Sequence, residues 1–162
     1  TIKDFEPLYI QRIAQLTNKS NQFNLTTLRS SEDDIRAMAG DKNDLCLCGK
    51  LVDKFGDNGI VTVVAGRQQG DVLDLTLWLM SCRVLKRGME DAMMDTVVAE
   101  AAARGVKTIV GQYYPTAKNA MVREFYAQYD FAKTAEDADG NTEWTLDVAA
   151  YTPKHPHMKI ER

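Results

Sequence analysis

The sequence predicts a single α/β domain (α+β in arrangement), a mixed and mostly antiparallel sheet flanked by helices. Leu73, Leu75, Leu77 and Leu79 alternate with Asp74, Thr76, Trp78 and Met80, the period-two pattern of a strand. Met89, Ala92, Met93, Thr96, Val97, Glu100 and Ala101 then follow helical spacing, and Gly105 stops that helix. An apolar, β-rich run over 106–113 comes next. Strand, helix and strand in that order make a crossover, so these two strands run parallel inside an otherwise antiparallel sheet.

The remaining elements follow in order. Leu8, Ile10, Ile13, Ala14 and Leu16 suit one face of a helix over 6–17. The polar cluster over 17–24 is a loop, because its amide side chains compete for backbone hydrogen bonds. A strand is predicted over 25–29. Ser31 followed by Glu32, Asp33 and Asp34 starts a helix running to 38, with acids where the helix dipole favours them. Apolar runs over 45–52 and 59–65, separated by Phe55-Gly56-Asp57-Asn58, predict a hairpin. A second amphipathic helix is predicted over 118–128 and a last strand over 143–148. One domain thus covers 1–150, and 151–162, with Pro153 and Pro156, is an extended tail.

Composition narrows the function. With 20 Lys plus Arg against 23 Asp plus Glu, the net charge of -3 offers no global field for a nucleic-acid backbone. No stretch approaches the roughly 20 apolar residues of a membrane span, and the acidic, polar N-terminus does not read as a secretory signal. Three cysteines, two of them at 46 and 48 in an apolar run, fit a reducing, cytoplasmic setting. The chain begins with Thr1, as a processed chain or a piece of a longer protein would. Cys46-x-Cys48 with His155-x-His157 offers four ligands of the type zinc takes, but neither spacing is that of a usual structural zinc knuckle, and no metal is expected.

The chemistry concentrates after the alternating strand. Ser81-Cys82-Arg83-Val84-Leu85-Lys86-Arg87-Gly88-Met89-Glu90 is a polar, Gly-containing junction into a helix, where free backbone amides and the helix dipole favour an anion. The plain alternative is an ordinary strand-to-helix junction. Cys82, beside Arg83 and near a helix N-terminus, is the candidate covalent nucleophile; a small buried hydrophobe is its other reading. Lys86, Arg87, Lys118 and Arg123 can form a local basic rim.

Arg83-x-x-Lys86-x-Gly88 resembles the Arg/Gln-x-x-Gly-x-Gly/Ala turn of the GNAT acyltransferase family, with Lys86 in place of the middle Gly. The resemblance implies the GNAT fold, and phosphate contacts to coenzyme A or phosphopantetheine from Arg83, Val84, Leu85, Lys86, Arg87, Gly88 and Met89. The run from Asn119 through Phe125, Tyr126 and Phe131 is similar to that family's Asn-x-x-Ala-x-x-Phe-Tyr-x-x-x-Gly-Phe helix, with Asp130 in place of Gly. This implies that Asn119 contacts pantetheine and Tyr126 protonates the leaving thiolate, a step that suits a phenol; a core aromatic is the other reading of Tyr126. The loop holding Asn21, Gln22 and Asn24 falls where GNAT proteins bind the acceptor, which makes these candidate substrate ligands, unless their amides only satisfy the loop's own turns.

Three blocks, 15–27, 78–85 and 115–119, resemble the C-terminal domain of FkbH-like proteins. That resemblance implies an acyl carrier protein or CoA thioester as partner, a HAD-like domain in the same parent protein, and loading of a glyceryl unit from a phosphorylated three-carbon donor. The leading expectation is an acyltransferase domain in which Ser81 and Cys82 line the thioester. A non-catalytic docking module for a carrier protein, favoured by Lys86 and by the lack of an evident general base, is the alternative. An ordinary acetyl-CoA-dependent N-acetyltransferase is the third.

Overall fold

Among the described residues, seven strands form one sheet in the order β1-β2-β3-β4-β5-β7-β6. They are β1 Ile2–Asp4, β2 Asp44–Asp53, β3 Gly56–Gln69, β4 Val72–Met80, β5 Thr108–Tyr113, β6 Ala132–Glu136 and β7 Thr142–Asp147. The structure is a computed structural model that describes residues 1–53, 56–81, 88–154 and 160–162. The sheet is antiparallel except between β4 and β5, which run parallel on either side of the crossover helix α3, here Met89–Ala103. The earlier helices are α1 Ile10–Lys19 and α2 Glu32–Gly40.

Alternation along the strands divides the core between the two faces. On one face α1 and α2 bury Ile13, Leu16 and Ile35 against Cys46, Cys48, Val63, Leu77 and Leu79. On the other, Met89, Met93, Val97 and Ala101 of α3 cover Leu45, Val61, Leu75 and Trp78. The start of α2 is a capping box: Asp34 N donates to Ser31 Oγ at 3.1 Å, and Ser31 N donates to Asp34 Oδ2 at 3.0 Å. Among the described residues no helix is long and apolar enough to cross a membrane.

Three predicted elements differ. The helix over 6–17 begins as an α-helix only at Ile10, after a 3-10 turn at Pro7–Tyr9 that leaves Leu8 exposed. The strand over 25–29 does not form: a single bridge joins Asn24 to Leu79, and Thr27 adopts φ 51°, which turns the chain out of any ladder. The helix over 118–128 is instead two short 3-10 segments, Ala120–Val122 and Tyr126–Tyr129, with bonds such as Phe125 N to Val122 O and Gln128 N to Phe125 O. Its buried face is the expected one, Val122, Phe125, Tyr126 and Tyr129. The segment is pinned at Asn119 and ended by Asp130 at φ 71°, which leaves little length for an α-helix. Strands β1 and β6 were not foreseen; β1 is three residues long, and every residue of β6 is exposed and gives no alternation. The hairpin of β2 and β3 forms with Cys46 opposite Ala65 and Cys48 opposite Val63, while Phe55 of its predicted turn lies outside the described residues.

A bulge in β4 shapes the site. Ala65 pairs with Leu77 and Gly66 with Leu75, leaving Thr76 extra. A Cβ on Gly66 would stand 2.9 Å from Asp74 O, so this close approach needs glycine. The parallel pairing of β4 with β5 ends here, at Leu75 opposite Gly111.

Candidate functional site

Beyond the bulge, the space between β4 and β5 is filled by the chain itself. Leu25 N donates to Trp78 O at 3.0 Å, Met80 N donates to Phe23 O at 2.9 Å, and Tyr114 N donates to Leu25 O at 2.8 Å. Thr26 Oγ1 adds a bond to Thr76 O at 2.8 Å. Leu25 therefore bridges the diverging strands in the way a short strand would, and it is 1% exposed.

Two asparagines lock this segment. Asn24 Nδ2 donates to Ser20 O at 3.1 Å, and its Oδ1 accepts from Thr27 N at 2.9 Å. Asn119 Nδ2 donates to Asn24 O and to Tyr114 O, each at 2.9 Å. Its Oδ1 accepts from Thr116 N at 2.7 Å and from the Tyr113 hydroxyl at 3.3 Å. Both donors and both acceptor positions of the Asn119 amide are thus occupied within the chain. Neither side chain is exposed.

Tyr126 is enclosed by rings. It meets Phe131 at 4.8 Å, Phe125 at 5.4 Å and Trp78 at 6.4 Å between centroids, and it lies over Gly111, where a Cβ would come 2.5 Å from the ring. Burial pushes its phenol well above the ordinary tyrosine range, and the charge of Asp74 adds to the shift. Trp78 Nε1 is the buried side-chain donor without a partner among the described residues.

A cleft of about 810 Å³ opens at the carboxyl end of β4. Arg12, Leu16 and Lys19 from one flank of α1 line it, with Ser20, Asn21, Gln22, Met80, Ser81 and Lys118. Three sequence-predicted residues, Asn21, Gln22 and Ser81, therefore meet here, whereas Asn24, Asn119 and Tyr126 do not line the cleft. Arg29 also bonds Asn21 Oδ1, holding that amide at the cleft wall. Arg12 and Lys19 were not singled out from the sequence; their seven-residue separation on one helix flank was the signal available.

Of the predicted phosphate-binding junction, Cys82, Arg83, Val84, Leu85, Lys86 and Arg87 lie outside the described residues. Gly88 precedes α3 with φ 86°, and Met89 is buried. Glu90 and Asp91 put negative charge in the first turn of α3, where the dipole is positive, and Asp91 accepts from the Tyr129 hydroxyl at 2.7 Å. Burial raises the thiols of Cys46 and Cys48 to about 12. Among the described residues no group of His, Cys, Asp and Glu is arranged to hold a metal ion; His155 and His157 lie outside them.

No protein-family model matches the sequence, and no curated protein matches it. Solved structures do. The ribosomal-protein-S18-alanine N-acetyltransferase from Escherichia coli superposes with a TM-score of 0.68 at 15% identity, over 91% of this chain and 93% of that one. The GNAT domain of S. lividans PAT gives 0.69 at 15% identity, over 90% and 89%. The spermidine N-acetyltransferase from Vibrio cholerae, solved with CoA and spermine, gives 0.67 at 9% identity, over 92% and 95%. At these identities the likeness speaks for architecture, and the mixed seven-stranded sheet with its bulged, diverging fourth strand has the fold of the GNAT acetyltransferases.

Proposed function

We propose that this domain is an acyltransferase module handling a small acyl thioester on an acyl carrier protein or coenzyme A, as in FkbH-like glyceryl loading, beside a HAD-like domain of the same parent protein. The observation that carries this reading is the cleft at the carboxyl end of β4. In α/β sheets ligands bind outside the carboxyl ends of strands where the connections diverge, and β4 and β5 part here. In this reading Ser81 and Cys82 line the thioester, the junction over 83–89 takes the phosphates, and Asn21 and Gln22 border the acceptor. The thioester arm approaches through the cleft, because residues 23–26 occupy the gap. Asn119 and Tyr126 act by holding the walls of the site in place.

Calorimetric titration with acetyl-CoA and, in parallel, with a phosphopantetheinylated carrier protein tests the reading. Saturable binding of either supports it. Binding of neither contradicts it.

The docking-module reading is favoured by one observation: β4 from Trp78 to Met80 already bonds to Phe23 and Leu25, and Tyr126 is sealed from the cleft. Tyr126→Phe in the parent protein tests whether Tyr126 is the acid that protonates the leaving thiolate, a role that neither account gives it. Retained loading agrees with a structural Tyr126, whereas a fall of about a hundredfold or more assigns it the acid's role.

A further inference from the structure

We propose that the cleft at the end of β4 recognises an oxyanion, a carboxylate or phosphate carried by the group that is transferred or by its acceptor. The whole chain is acidic, with a net charge of -3. The cleft inverts that balance: Arg12, Lys19 and Lys118 line it, and no acid does among the described residues. Several cations elsewhere are paired with acids. Arg67 meets Asp41 at 3.0 Å and Asp44 at 3.3 Å, Lys133 meets Glu136 at 3.0 Å, and Lys154 meets Asp130 at 3.2 Å. The heads of Arg12, Lys19 and Lys118 have no such partner among the described residues.

The helix end does not explain them either. At the end of α1, Arg29 Nη1 donates to Thr17 O and to the C-cap carbonyl Ser20 O, and Asn21 Nδ2 donates to Lys19 O, so the Lys19 head is not needed there. Like charges gathered around one cleft repel each other, and an anion between them removes that cost. The half-buried Arg12 supplies a planar fork that fits a carboxylate or phosphate in two places, and the lysines add mobile point charges. The volume suits a small acid on its carrier arm. A free cationic amine is repelled by the same residues.

The test is an NMR titration of the domain at low salt with inorganic phosphate and, separately, with malonate. The result expected is saturable shifts of the amides around Arg12, Lys19 and Lys118 with at least one anion. Affinity falls about tenfold or more in Arg12→Glu and Lys118→Glu, and holds in Lys107→Glu at the opposite end of the sheet. The anion that binds tells phosphate from carboxylate as the source. Absence of saturable shifts overturns the proposal, as does equal loss in Lys107→Glu or full binding in both cleft variants. If charge reversal disturbs folding, Arg12→Gln and Lys118→Gln carry the same comparison. Because no thioester is present, failure here is separate from failure of carrier or CoA binding.

Discussion

The gap between β4 and β5 and the cleft beside it share Met80 but treat polar groups in opposite ways. In the gap, Met80 N, Trp78 O, Leu25 N and O and all four positions of the Asn119 amide are bonded within the chain. In the cleft, three cations stand without partners among the described residues. Buried polar groups must be satisfied to be tolerated, so the gap is closed by its own hydrogen bonds. The cleft leaves charge over, and that surplus is what a ligand can use.

Breaking the closed region carries the largest expected effect. Asn119→Ala strips partners from Asn24 O, Tyr114 O and Thr116 N; at about 1–3 kcal/mol per orphaned group, a loss near 4 kcal/mol is expected, seen as a fall in Tm of about 10 °C. Leu25→Ala empties a fully buried position and costs about 3 kcal/mol in urea unfolding. Gly111→Ala drives a methyl into the Tyr126 ring and costs about 2 kcal/mol. Pairing it with Tyr126→Leu recovers part of that loss, which a double-mutant cycle measures as coupling between the two.

Smaller effects sharpen the contrast. The closed face toward α1 holds Cys46 and Cys48 as thiols up to about 12, against an ordinary value of 9.0. The folded state thus prefers the protonated form, so stability is unaffected below pH 9 and declines as pH rises from there toward 12. At pH 10 the loss is about 1 kcal/mol per thiol, and alkylation at pH 8 is slow until the chain unfolds. Smallest of all, Arg12→Ala, Lys19→Ala or Lys118→Ala changes stability by less than about 0.5 kcal/mol, because no partner is lost.

The same contrast explains what was legible in the sequence. Period-two alternation located β4, and helical spacing with Gly105 located α3, because each element meets its own layer of the core. Strand β6 has no buried side and so left no pattern. The face of 118–128 was legible, but its winding was decided by anchors at Asn119 and Asp130 that lie outside the periodicity. The segment over 25–29 has β-forming residues, yet its partners belong to β4 and Tyr114, far away in sequence. Of the candidate site, Asn21, Gln22 and Ser81 reach the cleft. Asn24 and Asn119 looked the same in sequence, since an amide that binds substrate and one that ties two loops together differ only in their neighbours. Arg12 and Lys19 carry no sequence signal beyond their seven-residue separation on one helix flank.

Hydrogen exchange at the amides of Leu25 and Met80, with and without coenzyme A, tests the closed gap most directly. Both amides are expected to exchange only through global unfolding, and to keep that protection when coenzyme A is added. Exchange through local opening, or loss of protection on adding coenzyme A, would show that residues 23–26 give way to a ligand and would contradict the division between a sealed gap and an open cleft.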